Sequence, residues 1–365
     1  MLRNRYAEGN CVRSPVSAVG CLLSGRRSGA SDTIWSRMLL KESLLWFCLA
    51  LALPPVVRAA EIDSITDRNH ELRNSMRALN AMLNGFLREG VERANERKKD
   101  CDEKTLYKSL RKAIVSPFIG HALAERLNQD EGLDSRRVPL EESIYQDLGL
   151  FDAISVHMKD LSAVIRLDDH LVGVDKLGHF LVEGWKYFEI AYLDGEGVET
   201  AVHWGQRAER TYFGLRTTGI FSYADLAANF DGMRFWARLL GHQKDPLDKG
   251  FFFNRSYVKC SKHLWSRKPY WRLRRRVDLG DFVNGAWDEG MNCHLYKDEE
   301  IAAAIRRRVE ETEKSDGKSY TCPIEASKCA AARERYDLYA HALLHPLCLE
   351  AEEKKEERSF FDLFR

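Results

Sequence analysis

Asp175, His179 and Glu183 stand four residues apart along V-D-K-L-G-H-F-L-V-E-G-W. At about 100° per residue, helical spacing keeps all three on one face, with Leu177, Leu181, Trp185 and Phe188 roughly opposite. Two carboxylates flanking an imidazole can bind a divalent ion of the zinc type or move a proton. A third or fourth donor would then come from another element, most plausibly Asp225 or Asp169. The competing reading gives His179 to a carboxylate or carbonyl inside a helical core, with no ion. The spacing is not HExxH, so it names no metal by itself.

Two more polar ladders share this spacing. Asp225 and Asn229, with Asp231 nearby, lie in S-Y-A-D-L-A-A-N-F-D-G, and Asn284, Asp288 and Asn292 lie in D-F-V-N-G-A-W-D-E-G-M-N-C. Asn and Asp are poor helix formers, so such ladders read first as caps or hydrogen bonds between elements. They could also converge with the first face on one polar core. Glu209, followed by Thr217-Thr218-Gly219, loosely matches the acid-plus-turn layout of a lysozyme-like glycosidase. Such an enzyme needs a second carboxylate about 5–9.5 Å away, for which Asp225 is the nearby candidate. Within R-A-E-R, however, a Glu more often serves as an exposed ion-pair partner.

The segment K-H-L-W-S-R-K-P-Y-W-R-L-R-R-R interleaves cations with aromatic rings: Lys262, Trp265, Arg267, Lys268, Trp271, Arg272, Arg274 and Arg275. Stacking rings plus cations suit an anionic ligand such as a lipid head group, an acidic glycan or nucleic acid.

The residues D-K-L-G-H-F at 175–180 resemble the D-K-x-x-H-F segment of VanZ-like proteins and of periplasmic lipoproteins of unknown function. The resemblance implies a bacterial envelope setting. It brings no mechanism, and VanZ-like proteins are membrane-embedded.

The elements around these residues read as mainly α: a helical, bundle-like core over residues 60–241, then an irregular, disulfide-tied region over 242–350, then a charged tail, 351–365. Helical periodicity is expected over about 62–99, 103–116, 118–127, 140–165, 174–192, 198–214, 222–240, 298–314 and 328–344. Ser222 with Asp225 three residues on reads as an N-cap, and Gly241 as the C′ residue. Residues 1–37 show no sustained period and read as an unstructured or mis-assigned start. From Met38 a basic residue, an apolar run and Val57-Arg58-Ala59 form a secretory signal, with cleavage after Ala59. Once it is removed, no run long enough to span a membrane remains. The chain is therefore expected to be exported, periplasmic or secreted.

Residues 1–59 hold eight basic and three acidic groups, so the 56 basic and 55 acidic groups of the chain fall to 48 and 52 in the exported part. A slight acidic excess argues against nucleic acid as partner and leaves peptidoglycan, anionic lipid or glycan. Of nine cysteines, six lie beyond residue 59, an even number suited to disulfides in an oxidising compartment. Proximity favours a Cys322–Cys329 pair. Three function classes follow: a non-catalytic envelope binding protein, a metal-dependent hydrolase on the Asp175/His179/Glu183 face, and a glycan-cleaving enzyme with Glu209 as acid.

Overall fold

Leu79, Leu83, Leu87 and Val91 recur every four residues and form the buried stripe of helix α1 (Met76–Glu96). It lies against α2 (Glu103–Ile114) and its Leu106, Leu110 and Ile114. The contact is close because Gly90 faces Leu110: a Cβ there would sit 2.9 Å from the Leu110 Cα. The computed structural model describes residues 61–97, 100–114, 133–158, 160–211, 214–248 and 256–350. The expected signal segment, the helix over 118–127 and the charged tail lie outside the described residues. Among the described residues the fold is mainly helical with little sheet, and no helix is long and apolar enough to cross a membrane.

Residues 62–75 are not helical, contrary to the periodic reading. The Asp63 carboxylate accepts the N–H groups of Ile65 and Thr66, each at 2.9 Å, and that of Ile144. A short acidic side chain bonded to nearby backbone competes with the helix ladder. The segment instead runs beside a three-stranded antiparallel sheet through bridges at Ile62–Ser162 and Asn74–Arg166. That sheet, β1 (Ser135–Arg136), β2 (Val164–Leu167) and β3 (His170–Gly173), corrects the helix expected over 140–165. Only the 3₁₀ turn Leu140–Glu142 and the short helix Ile154–Met158 are helical there. The Asp168-Asp169 pair turns the β2–β3 hairpin, with Asp168 at φ 53°.

Helix α3, residues 175–193, follows β3 directly. It alternates α-helical turns with two π-helical ones, His179–Glu183 and Glu189–Leu193. It leads into α4 (Val198–Arg210), short strand β4 (Ile220–Ser222) and α5 (Tyr223–Leu240). The Ser222 hydroxyl accepts the Asp225 N–H, and Gly241 ends α5 at φ 68°, as the cap residues predict. Almost all of α5 is buried, and Phe180, Phe235, Phe282 and Trp287 meet around it with ring centroids 5.3–6.0 Å apart. Phe282 and Trp287 come from the region after residue 241, so the described residues on both sides of that position share one core.

Residues 242–297 are mostly irregular, as expected, but include a hairpin of β5 (Val258–Lys262) and β6 (Pro269–Leu273). Strand β7 (His294–Tyr296) pairs with β4. The charged helix α6 (Glu299–Asp316) starts on the Asp298 side chain, which accepts the Ile301 N–H. Helix α7 (Ala326–Tyr336) gives way to a 3₁₀ turn and short helical pieces up to Glu350.

Three disulfides join Cys101 to Cys260, Cys293 to Cys322, and Cys329 to Cys348. The pairing of Cys322 with Cys329 is overturned. The start of α7 falls between them and carries Cys329 into the core, where it is 0% exposed beside Cys348. Cys322 stays against the Gly290–Met291 backbone next to Cys293. Peptide mapping without reductant should recover these three pairs and no Cys322–Cys329 peptide. In chain-entropy terms the 159-residue Cys101–Cys260 loop is worth about 5 kcal/mol. Its Cys→Ser double variant should therefore show the largest fall in denaturant midpoint of the three pair removals.

Candidate functional sites: a buried charge cluster and a basic hairpin

Lys176 is the centre of the first site. It follows Asp175 on α3 and is 0% exposed. Its ammonium donates to Asp175 Oδ2 at 2.7 Å and pairs with Asp225 Oδ1 and Glu289 Oε1, each at 2.5 Å. A buried cation requires such company, because an unpaired ammonium in the interior would lose its proton or unfold the chain. Asp225 is brought in by the α5 cap, and Glu289 by the turn between Trp287 and Met291.

His179 lies one turn further along α3. Its Nδ1–H donates to Asn229 Oδ1 at 3.0 Å and its Nε2 meets Asp225 Oδ2 at 3.1 Å. Burial disfavours the charged ring, but Asp225 outweighs it and lifts the pKa to about 10. Burial likewise opposes ionisation of Asp225, yet His179 and Lys176 hold it far below the usual carboxylate range. For Asp175 the balance tips the other way: burial outweighs Lys176 and raises the pKa to about 6. Asp175 Oδ1 has no hydrogen-bond partner among the described residues.

Ligand atoms of Asp175, His179 and Asp225 lie within 4.8 Å of one another. The expected face is therefore assembled in part, with Asp225 in the place proposed for Glu183. The turn His179–Glu183 is π-helical, closed by the Gly184 N–H on the His179 carbonyl. Glu183 is half-buried and feels His179 and Asp225 only through space. Asp169 does not join either. Its exposed carboxylate pairs with His170 and Lys328.

Glu209 is 2% exposed and sits at the end of α4, facing the same cluster. Burial, then the charge of Asp225, raises its pKa well above the ordinary value.

Sequence reasoning missed four members of this network: Lys176, Glu61, Glu289 and His294. Ligand atoms of Glu61, Glu289 and His294 also lie within 4.8 Å of one another. Burial and the neighbouring Glu289 push Glu61 up to about 8. Glu289 is held below its ordinary value against burial, by Lys176 and His294. Charges from three distant segments meet here, and no local spacing announces them.

Of the other ladder residues, only Asn229 joins the cluster. Asn284, Asp288 and Asn292 do not form a helical ladder, because the segment is a 3₁₀ turn (Gly285–Trp287) and loop. Asn284 caps that turn and donates to Asp231 Oδ2 and the Tyr336 hydroxyl. Asp231 in turn pairs with Arg234, which Asp245 holds at 2.9 Å. Asp288 takes both guanidinium nitrogens of Arg68, at 2.7 and 3.1 Å. Asn292 ties Ala286 and Leu343 carbonyls and the His345 N–H together. These are structural bonds between segments.

The second site is the β5–β6 hairpin. Cys101–Cys260 fastens its base, and Asn95 grips Trp271 by accepting its N–H at 2.8 Å and donating to its carbonyl at 2.9 Å. Trp271 itself is 4% exposed and belongs to the core, so it is not a stacking platform. Arg275 lies over the Tyr257 ring at 4.1 Å, and Arg272 donates to the Ser261 hydroxyl. The tip is different. Leu264 is 83% and Trp265 93% exposed. Lys262, Arg267, Lys268 and Arg274 are exposed, and none forms an ion pair with a described carboxylate.

No protein-family description, curated protein or solved structure matches this chain.

Proposed function

We propose that the chain is an exported, envelope-associated protein with a non-catalytic binding role, and that the β5–β6 hairpin is where it meets an anionic lipid surface. The observation that carries this reading is the tip itself, with Leu264 and Trp265 standing in solvent among cations that form no ion pair with a described carboxylate. An aromatic ring and an aliphatic side chain enter the head-group region while flanking Lys and Arg hold anionic lipids. The rigid base matters as much, because a tip pinned by a disulfide and by Asn95 is ordered before it binds. Three disulfides and the signal-like pattern over 38–59 support export. So does the D-K-L-G-H-F resemblance to VanZ-like proteins, which supports a bacterial envelope.

The full exported chain should sediment with phosphatidylcholine vesicles containing phosphatidylglycerol, lose that binding as salt rises, and show a blue-shifted tryptophan emission. Each of Lys262→Gln, Arg267→Gln and Lys268→Gln should weaken binding about fivefold, the equivalent of roughly 1 kcal/mol per cation. Trp265→Ala should abolish the emission shift. Equal binding to vesicles without anionic lipid, or binding indifferent to these substitutions, would refute the reading. Binding to isolated peptidoglycan alone would move it to a glycan partner.

A second reading, a metal-dependent hydrolase, is favoured by one specific feature. Asp175, His179 and Asp225 stand within one ion's reach, Asp175 Oδ1 has no hydrogen-bond partner among the described residues, and buried Glu209 feels Asp225 and His179. A zinc ion held there would be lost from His179→Gln. Retention of full metal content by that variant would end this reading.

A further inference from the structure

We infer that Glu61, Glu289 and His294 form a site for a divalent transition metal of the zinc type, separate from the face that the sequence singles out.

Three chain segments deliver the ligands, and each is fixed independently of any ion. Glu61 is held where its carbonyl accepts the Ser162 N–H at 2.9 Å and where the Tyr145 hydroxyl bonds the next carbonyl, that of Ile62, at 3.0 Å. Glu289 sits in the turn that Asp288 ties to Arg68. His294 opens β7, in register with Ser222 of β4 and next to the Cys293–Cys322 disulfide. The side chains of Glu289 and His294 are 0% and 5% exposed.

The second observation is the spacing of these groups. Glu289 Oε2 and His294 Nε2 face each other as an ion pair at 3.3 Å, and neither atom has another hydrogen-bond partner among the described residues. An aligned N–H···O contact would be shorter, near 2.7–2.9 Å for a charged pair. Two vertices of a tetrahedron with metal–ligand bonds of about 2.0–2.1 Å lie roughly 3.3–3.4 Å apart. The pair therefore stands at the spacing of two ligands of one ion, with Glu61 as the third. The pair is long for a charged contact, and an ion seated between its atoms would replace it with two metal–ligand bonds.

Glu289 Oε1 is anchored on the Lys176 ammonium, which orients Oε2 as an outer-shell partner orients a metal-bound carboxylate. One imidazole and two carboxylates are a donor set that zinc accepts, with related first-row ions as competitors.

The test uses the full exported chain, disulfides intact, stripped with chelator and titrated with zinc and, separately, with cobalt. The expected result is one zinc per chain, a visible cobalt absorption typical of low coordination number, and a zinc-dependent rise in melting temperature. Glu61→Gln and His294→Gln, both nearly isosteric, should each lower zinc affinity by about tenfold or more and erase the zinc-dependent rise. Near-ultraviolet circular dichroism identifies a variant that has lost its fold, and the other then decides. Absence of zinc binding in the wild type would overturn the proposal, as would wild-type affinity in both Glu61→Gln and His294→Gln. Loss of the ion only in His179→Gln would also overturn it and transfer the ion to Asp175, His179 and Asp225.

Discussion

Gly232→Ala should destabilise the protein by about 3 kcal/mol or more, as read from the midpoint of denaturant unfolding. At the crossing of α3 and α5 the two backbones touch. A Cβ on Gly232 would lie 2.0 Å from the Phe180 carbonyl oxygen, and one on Gly184 would lie 2.5 Å from the Gly232 Cα. These obstacles are main chain, so no rotamer change relieves them and the helices must separate. Separation would pull Phe180 from Phe235 and draw His179 away from Asn229 and Asp225, because all of them ride on this pair of helices. Gly184→Ala should cost a similar amount. The double variant should cost clearly less than the sum, because both substitutions spoil one contact. Full additivity would mean that the helices do not meet at this point.

Much of the crossing was legible before the structure, and the limits of that legibility have physical causes. The Ser222 cap, the Gly241 stop and the buried stripe of α1 follow from local rules, because each is decided within a turn or two of its own sequence. His179 and Asp175 could be placed on one face because helical periodicity is also local. Glu183 does not join the cluster because the third carboxylate comes from Asp225 on another helix, and no local spacing announces that contact. Lys176 was overlooked because a lone lysine in an amphipathic helix ordinarily reaches solvent. Here it is held by Asp225 and Glu289, which lie 49 and 113 residues away in sequence. Glu61, Glu289 and His294 each look unremarkable in their own segments, and only tertiary structure unites them. The cysteines failed for a related reason. Short separation lowers the cost of closing a loop, but a helix start between Cys322 and Cys329 turns the two thiols apart.

Lys176→Met should be among the most damaging substitutions in the chain, costing roughly 3–5 kcal/mol near neutral pH. Methionine keeps most of the volume, so the loss is electrostatic: Asp225, Asp175 and Glu289 would remain buried around an apolar side chain without their shared cation. The pH dependence gives the prediction its signature. Even with Lys176 present, burial places Asp175 at about 6, above its ordinary value of 3.8. Removing the ammonium raises the folded-state pKa of each carboxyl above its value in the folded wild type, where Asp225 and Glu289 are held low, while the unfolded values stay where they are. The folded variant then binds more protons than the folded wild type, so its loss of stability relative to the wild type grows as pH rises. The deficit relative to the wild type should therefore shrink on going from pH 8 to pH 5, as the carboxyls take up protons and the missing charge matters less. Lys176→Arg is the control. It restores the charge but adds a planar group where three carboxylates enclose a single nitrogen, so it should recover only part of the stability. Unfolding curves for the three proteins between pH 5 and 8 decide the matter, and a Lys176→Met deficit that is independent of pH would show that the ammonium does not hold these carboxylates in the ionised state.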